Sequence, residues 1–364
     1  MRLEGIDLLR GTAVGSVVLY HYFVLMHLQN HPLFPYIHTF GLFGVSLFFV
    51  ISGYLIYRSI TARVAEWGWK RGVAIYALHR FFRIVPAYYV NLAAVALMAL
   101  IFGTVQLPID DFLRYLAAHA AFVSYFTHKD AGFGINGAYW TLHVEMLWYL
   151  LAPLLAALLA KRGWILPLLA MGSLLYLYML QTGRLDAWLN IPPNAVALRF
   201  YYAFQLPGQF IFFAAGIAVY LYHDRLRKSR RSGILALAWG VLILLYALLQ
   251  RYLSPLLFAY ENLFILLFAV ALFILLSHAT IAVLKPISWI GEISYSVYLW
   301  HMPILFLFNK FPHDPATTAV TYPIVLIIVS AASYYGVERW GFKRQKKYEA
   351  RLRRYNGGKK EGRE

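Results

Sequence analysis

The chain contains no cysteine. That absence excludes disulfides, a thiolate metal site and a cysteine acyl-enzyme. Charge is scarce as well: Asp, Glu, Lys and Arg make up 13% of the 364 residues, where a soluble domain carries about 25%. Acids are scarcest, 16 against 33 Lys and Arg. The histidines and carboxylates form no compact set at ligand spacing, so no metal centre is expected. No internal repeat and no low-complexity linker is visible, which removes the usual sequence sign of an inverted-repeat transporter.

What is present is apolar surface. Hydrophobic residues are 61% of the chain and the mean hydropathy is +0.60. Ten apolar stretches approach the roughly 20 residues a bilayer requires: about 9–28, 40–57, 84–103, 139–160, 163–181, 203–222, 233–252, 258–277, 288–309 and 319–337. The expected fold is all-α, a polytopic membrane helix bundle of about ten transmembrane helices. The first span is long and lacks a small-residue cleavage site, so it is expected to be retained rather than removed as a signal. With the N-terminus inside, 27 basic residues fall on the cytoplasmic side and 6 outside. That bias predicts both termini in the cytoplasm of a bacterial-type inner membrane. The expected division is a membrane domain over residues 1–340 and a basic cytoplasmic tail over 341–364. The tail reads as an anchor on anionic lipid rather than a nucleic-acid site. The stretch from Arg58 to Arg83, with Trp67, Trp69 and Tyr76 among basic residues, reads as a helix lying in the cytoplasmic interface.

Polar groups inside the apolar spans carry the functional argument. Arg10 and His21 are eleven residues apart, within roughly 20° on a helix and about 16 Å along its axis. With Arg10 at one surface, His21 lies near the middle of a core about 30 Å thick. An ionisable group there is by default a functional candidate, the alternative being a histidine hydrogen-bonded between helices. Glu145 lies about 9 Å below the opposite end of its span, at a depth where it could orient an imidazole and stabilise its charged form. Arg80 and Arg83 share a helical face, and two guanidiniums at the inner mouth of a bundle suit a phosphate-rich ligand. Positive-inside charge without a ligand explains them equally well. Ser52 and Tyr54 offer hydroxyls around Gly53. Ser294, Tyr298 and His301 fall at i, i+4 and i+7 on one face, facing either a wet cavity or a neighbouring helix as hydrogen-bond glue. Aromatic residues in the loop 182–202 read as an interfacial belt before they read as a sugar platform.

Taken in order, Asp7-x-x-Arg10-Gly with His21, Phe49-x-x-Ser52-Gly53-Tyr54, Arg80-x-x-Arg83-Ile-x-Pro86, Trp140-Thr-Leu-x-Val-Glu145 and Ser294-Tyr-x-x-Tyr298-Leu-x-His301 resemble the acyltransferase-3 family of membrane acyltransferases. The resemblance runs from Asp7 to about Trp340. It implies a cytoplasmic acyl-CoA donor and an acceptor modified on or across the membrane. It implies essential roles for Arg10 and His21, and donor handling by the Arg80/Arg83 region. Unlike longer members, the chain shows no fused extracytoplasmic hydrolase-like domain, so direct transfer by the membrane domain is expected.

The function expected is O-acyl transfer, with acetyl favoured, from acyl-CoA to a sugar hydroxyl of a surface or exported glycan or lipid-linked sugar. His21 would act as general base or acyl relay, with Arg10 and Glu145 beside it. Arg80, Arg83, Ser52 and Tyr54 are the donor-binding candidates, and Asp7, Ser294, Tyr298 and His301 are further site candidates. Two other classes compete. A glycan flippase without chemistry predicts symmetry between halves, which is not seen. A membrane glycan polymerase or ligase expects its Arg and His in a large outer loop, whereas here they lie in the helices and at the inner mouth.

Overall fold

The computed structural model describes residues 4–104, 107–127, 135–222, 284–311 and 314–361, together with Leu266, Ala269, Val270, Leu272 and Phe273. Among them there is no strand. The expected span 233–252, most of the span 258–277, the basic run Arg225–Arg231 and the turn Gly132–Gly134 lie outside the described residues.

The elements in chain order are α1 (Glu4–Leu25), α2 (Phe34–Trp67), α3 (Trp69–Phe102), α4 (Ile109–Ala120), α5 (Ser124–Thr127), α6 (Tyr139–Lys161) and α7 (Ile165–Gln181). They continue with α8 (Asp186–Leu189), α9 (Val196–Ala203), α10 (Leu206–Leu221), α11 (Lys285–Glu292), α12 (Ser294–Lys310) and α13 (Pro315–Ser333). A π-helical turn at Tyr334–Glu338 then leads into α14 (Arg339–Glu361). Six of the described stretches are long and apolar enough to cross a membrane: Gly5–Leu25, Tyr36–Trp67, Trp69–Phe102, Tyr139–Lys161, Ala197–Leu221 and Pro315–Arg353. The helix Ile165–Gln181 is apolar but shorter. The expected ninth span is two helices, because the chain breaks at Ile293.

The Arg58–Arg83 stretch differs from its expectation. It is not one helix in the interface but the ends of α2 and α3, joined at Gly68, whose φ of +70° ends the first helix. Backbone hydrogen bonding needs no apolar side chain, so each helix continues past its hydrophobic span as far as that turn. The two helices approach closely there, since a Cβ on Gly72 would meet the backbone of Arg63 and Val64.

Membrane helices gain little from apolar burial alone, so close packing and interhelical hydrogen bonds hold them together. A Cβ on Gly53 would run into the backbone of Phe213, which brings α2 against α10. Likewise, a Cβ on Gly291 would collide with the Asp7 carbonyl, locking α11 onto the first turn of α1. Tyrosines tie α3 to its neighbours: Tyr76 donates to the Tyr149 carbonyl at 3.1 Å, and Tyr295 donates to the Ile84 carbonyl at 3.0 Å. Such bonds are worth about 0.6 kcal/mol each on average inside a bilayer. Trp148, Tyr139, Phe212 and Phe213 fill the centre, while Leu97, Leu100, Ile101, Leu150 and Leu154 face outward, as a hydrocarbon solvent permits. The N-terminal turns of α1, the Gly68 turn and the ion pairs of α14 with α2 gather at one end of the bundle.

Candidate active site

α1 packs on α2, α11 and α12, and α3 packs on α2, α12 and the π-turn. Between these helices and α6 lies a cavity of about 740 Å³, counted to its open mouth. Arg10, Ser52, Arg80, Arg83, Glu145, Ser294 and Tyr298 all line it. Residues from five helices therefore meet at one place, although in sequence they are separated by up to 288 positions. Apolar walls come from Phe48, Phe49, Leu55 and Leu142.

The charges are arranged as cations among three carboxylates. Arg10 interacts electrostatically with Arg83, Asp7, Glu338 and Glu145. Arg80 lies 5.7 Å from the ring centre of Tyr149 and 6.0 Å from that of Tyr76. Its Nε is buried and has no hydrogen-bond partner among the described residues. Ser294 Oγ, also on the cavity wall, is in the same condition. A buried donor without a partner costs about 1–3 kcal/mol. Two of them on one wall mark a place where a ligand's acceptors would be welcome.

Glu145 is held by hydroxyls. Its Oε1 accepts from Ser52 Oγ at 2.6 Å and from Tyr149 OH at 2.6 Å. Tyr149 stands one helical turn from Glu145, the i, i+4 spacing at which side chains meet. The expected His21–Glu145 partnership is not formed. α1 is neighbour to α2, α11 and α12, so His21 meets His301 instead, His301 Nε2 to His21 Nδ1 at 3.2 Å.

The carbonyl contacts settle the tautomers. His301 Nδ1 lies 2.6 Å from the Tyr298 carbonyl, and His21 Nδ1 lies 3.0 Å from the Val17 carbonyl. A carbonyl oxygen only accepts, so both Nδ1 atoms carry hydrogen when the rings are neutral. His301 Nε2 is then an acceptor, and His21 Nδ1–H is shared between Val17 and His301. His21 Nε2 keeps its lone pair. His21 and His301 do not themselves line the cavity. Tyr298 connects them to it: its backbone carbonyl holds His301, and its ring is part of the cavity wall. The Tyr298 hydroxyl accepts from Thr141 at 2.7 Å and donates to the Ala138 carbonyl at 3.1 Å.

The Ser52-Gly53-Tyr54 triplet splits three ways. Ser52 faces the cavity, Gly53 faces α10, and Tyr54 packs against the rings of Tyr220 and Phe273, 5.7 and 5.0 Å away. Tyr54 is therefore placed in the core rather than on the cavity wall. Asp7 sits one turn before Arg10 and shares its field. Sequence reasoning missed Thr141, Tyr149, Tyr295 and Glu338. Tyr149 had a signal in its i+4 spacing from Glu145. Glu338, an isolated acid closing the last apolar span, had a weaker one. A second polar cluster was missed as well: Ser124 Oγ lies 3.0 Å from both His119 Nδ1 and His143 Nε2. Among the described residues no group of three or more His, Asp or Glu is placed to hold a metal ion.

Comparison with known proteins follows the same outline. The chain is 29% identical over 340 residues to a peptidoglycan O-acetyltransferase of Listeria monocytogenes, covering 84% of this chain and 50% of that protein. It is 28% identical to a candidate acetyltransferase of Acidianus two-tailed virus, covering 81% of each. It is 25% identical to a candidate O-acetyltransferase of Staphylococcus aureus, covering 92% of this chain and 56% of that one. The chain thus spans about half the length of the bacterial relatives. No solved structure matches. The acyltransferase domain family matches over residues 3–337, and through that nearly complete alignment the chain belongs to the acyltransferase-3 family.

Proposed function

We propose that this protein is a membrane O-acyltransferase that moves an acyl group, acetyl in the favoured case, from acyl-CoA to a hydroxyl of a surface or exported glycan. The observation that carries the reading is the convergence of Arg10, Arg80 and Arg83 on one cavity among apolar helices. Guanidiniums match phosphate oxygens in geometry and charge. The residues therefore fit a donor with a phosphate-rich head and a long arm, and the unpartnered Arg80 Nε adds a donor hydrogen for it. Bound there, acyl-CoA would supply the activated thioester. The glycan acceptor draws support from the peptidoglycan named for the Listeria relative.

In this reading His21 Nε2 takes the proton of the acceptor hydroxyl as its oxygen bonds to the thioester carbonyl carbon. The C–S bond breaks, and the imidazolium returns its proton to the departing thiolate. The products are an ester and free CoA. His301 accepts the His21 Nδ1–H and so holds the ring in the tautomer that presents Nε2. Arg10, with Glu145 and Asp7 in its field, provides positive charge on the side where the thioester would lie. The same bare Nε2 serves an acyl-imidazole relay.

The reading includes an orientation. Both termini and the Gly68 turn would face the cytoplasm, with residues 341–364 as a basic tail on anionic lipid. The chain has no native cysteine, so Ala65→Cys should react with an impermeant thiol reagent from the cytoplasmic side alone. Labelling only from outside would reverse the arrangement. The functional test is purified protein in liposomes with acetyl-CoA and peptidoglycan or polysaccharide fragments. Mass spectrometry should find a new ester on the glycan in step with CoA release. Neither ester nor CoA release with any acyl-CoA would remove the proposal.

A further inference from the structure

Three arginines line the cavity, and Arg80 and Arg83 stand one turn apart on α3. Like charges at that spacing repel. Glu145 offsets one side of the cluster. A second acid comes from the far end of the chain. Glu338 closes the π-turn and is only 1% exposed. Its Oε1 accepts from Ser296 Oγ at 2.5 Å. Its Oε2 is buried and has no hydrogen-bond partner among the described residues. Its charge interacts with Arg83 and Arg10. One turn further on, the Phe342 ring lies under the Arg83 guanidinium at 5.5 Å. Between them, a Cβ on Gly341 would run into the Phe82 carbonyl, so α14 presses on α3 at the residue before Arg83. A π-turn adds a residue to the helix and re-aims the side chains around it, and such turns recur at functional sites.

We propose that the turn from Glu338 to Phe342 is a clasp that fixes the Arg83 guanidinium at the donor cavity. This rests on the acyl-CoA reading above. Glu338 is a positioning residue. Its carboxylate supplies the counter-charge and Phe342 the flat surface on which the guanidinium lies. Without the clasp Arg83 swings freely, and the donor phosphates lose a preoriented fork.

The test uses the full-length purified protein and reads acetyl-CoA binding, donor KM, acceptor KM and kcat. Glu338→Gln keeps the size and removes the charge. It should weaken acetyl-CoA binding and raise donor KM about fivefold, the scale of a nearby charge that acts without a direct hydrogen bond. Acceptor KM and kcat should stay within about twofold, because the interaction is made equally in ground and transition states. Glu338→Asp keeps the charge and should lie closer to wild type than the Gln variant. Packing alone predicts the reverse order, and that order, or a Gln variant with unchanged donor binding, overturns the proposal. If Glu338→Gln does not yield folded protein, Phe342→Leu carries the test with about a threefold rise in donor KM, and no change there also overturns it. A wild-type protein that neither binds nor turns over acyl-CoA is a different result: it sinks the function reading itself.

Discussion

Two polar clusters sit at different places in this bundle, one closed from solvent and the other around an open cavity. In one, His119, Ser124 and His143 have at most 1% exposure and bond to one another. His143 Nδ1 meets the Tyr139 carbonyl at 2.8 Å, so it carries hydrogen and leaves Nε2 to accept from Ser124. In the other, Arg10, Ser52, Arg80, Arg83 and Glu145 surround a cavity. There the Arg80 Nε and Ser294 Oγ have no partner among the described residues. A serine between two imidazoles looks more catalytic on paper than a row of arginines. Closure from solvent suits it to fastening α4, α5 and α6 together, whereas the open cavity lined by three guanidiniums makes the other cluster the candidate site.

The contrast is sharpest at the histidines. On the proposed mechanism His21→Ala removes the base and should lower turnover by about 10²–10⁴-fold, the usual size of general base catalysis. His21→Gln should not restore it, since an amide bonds but takes no proton. Both are read as acyl transfer normalised to protein that elutes as a folded peak. His143→Ala should do the opposite. It strips Ser124 of one partner and should cost about 1–3 kcal/mol of stability, seen as a lower midpoint in a thermal size-exclusion series, with kcat of the folded fraction little changed. A His143 variant that is stable and inactive would erase the distinction between the two clusters.

Smaller effects refine the picture within the cavity. Arg80→Ala and Arg83→Ala should each raise donor KM more than acceptor KM, by about tenfold for a lost charge-assisted contact. An unchanged donor KM in both would reduce them to topology signals. Ser52→Ala removes one of two hydroxyls from Glu145 Oε1 and leaves Tyr149 in place. Its expected cost is among the smaller ones, about two- to tenfold in turnover, because a single hydroxyl donor contributes about 0.5–1.5 kcal/mol.

Much of this was legible in the chain before its folding. Hydropathy and length announce α1, α6 and α7, whose bounds fall close to the expected spans. Spacing placed Arg80 with Arg83 and Ser294 with Tyr298, and both pairs face the cavity. Side-chain periodicity within one helix is readable, but which helices touch is not. Depth alone made Glu145 a partner for His21, whereas helix neighbours decide partners and put His301 there. The extent of α2 and α3 was hidden because a helix in water leaves no hydropathy signal. Glu338 was hidden for a different reason: its importance depends on α14 folding back against α3, a contact 255 residues distant in sequence from Arg83.

The central claim is that the arginine cavity takes the acyl donor. Equilibrium binding of radiolabelled acetyl-CoA to the purified protein in lipid nanodiscs tests it without any assumption about the acceptor. Saturable binding, displaced by unlabelled CoA and weakened about tenfold in Arg83→Ala but not in His143→Ala, is the expected result. Absence of binding by the wild-type protein, or equal weakening in both variants, would contradict it.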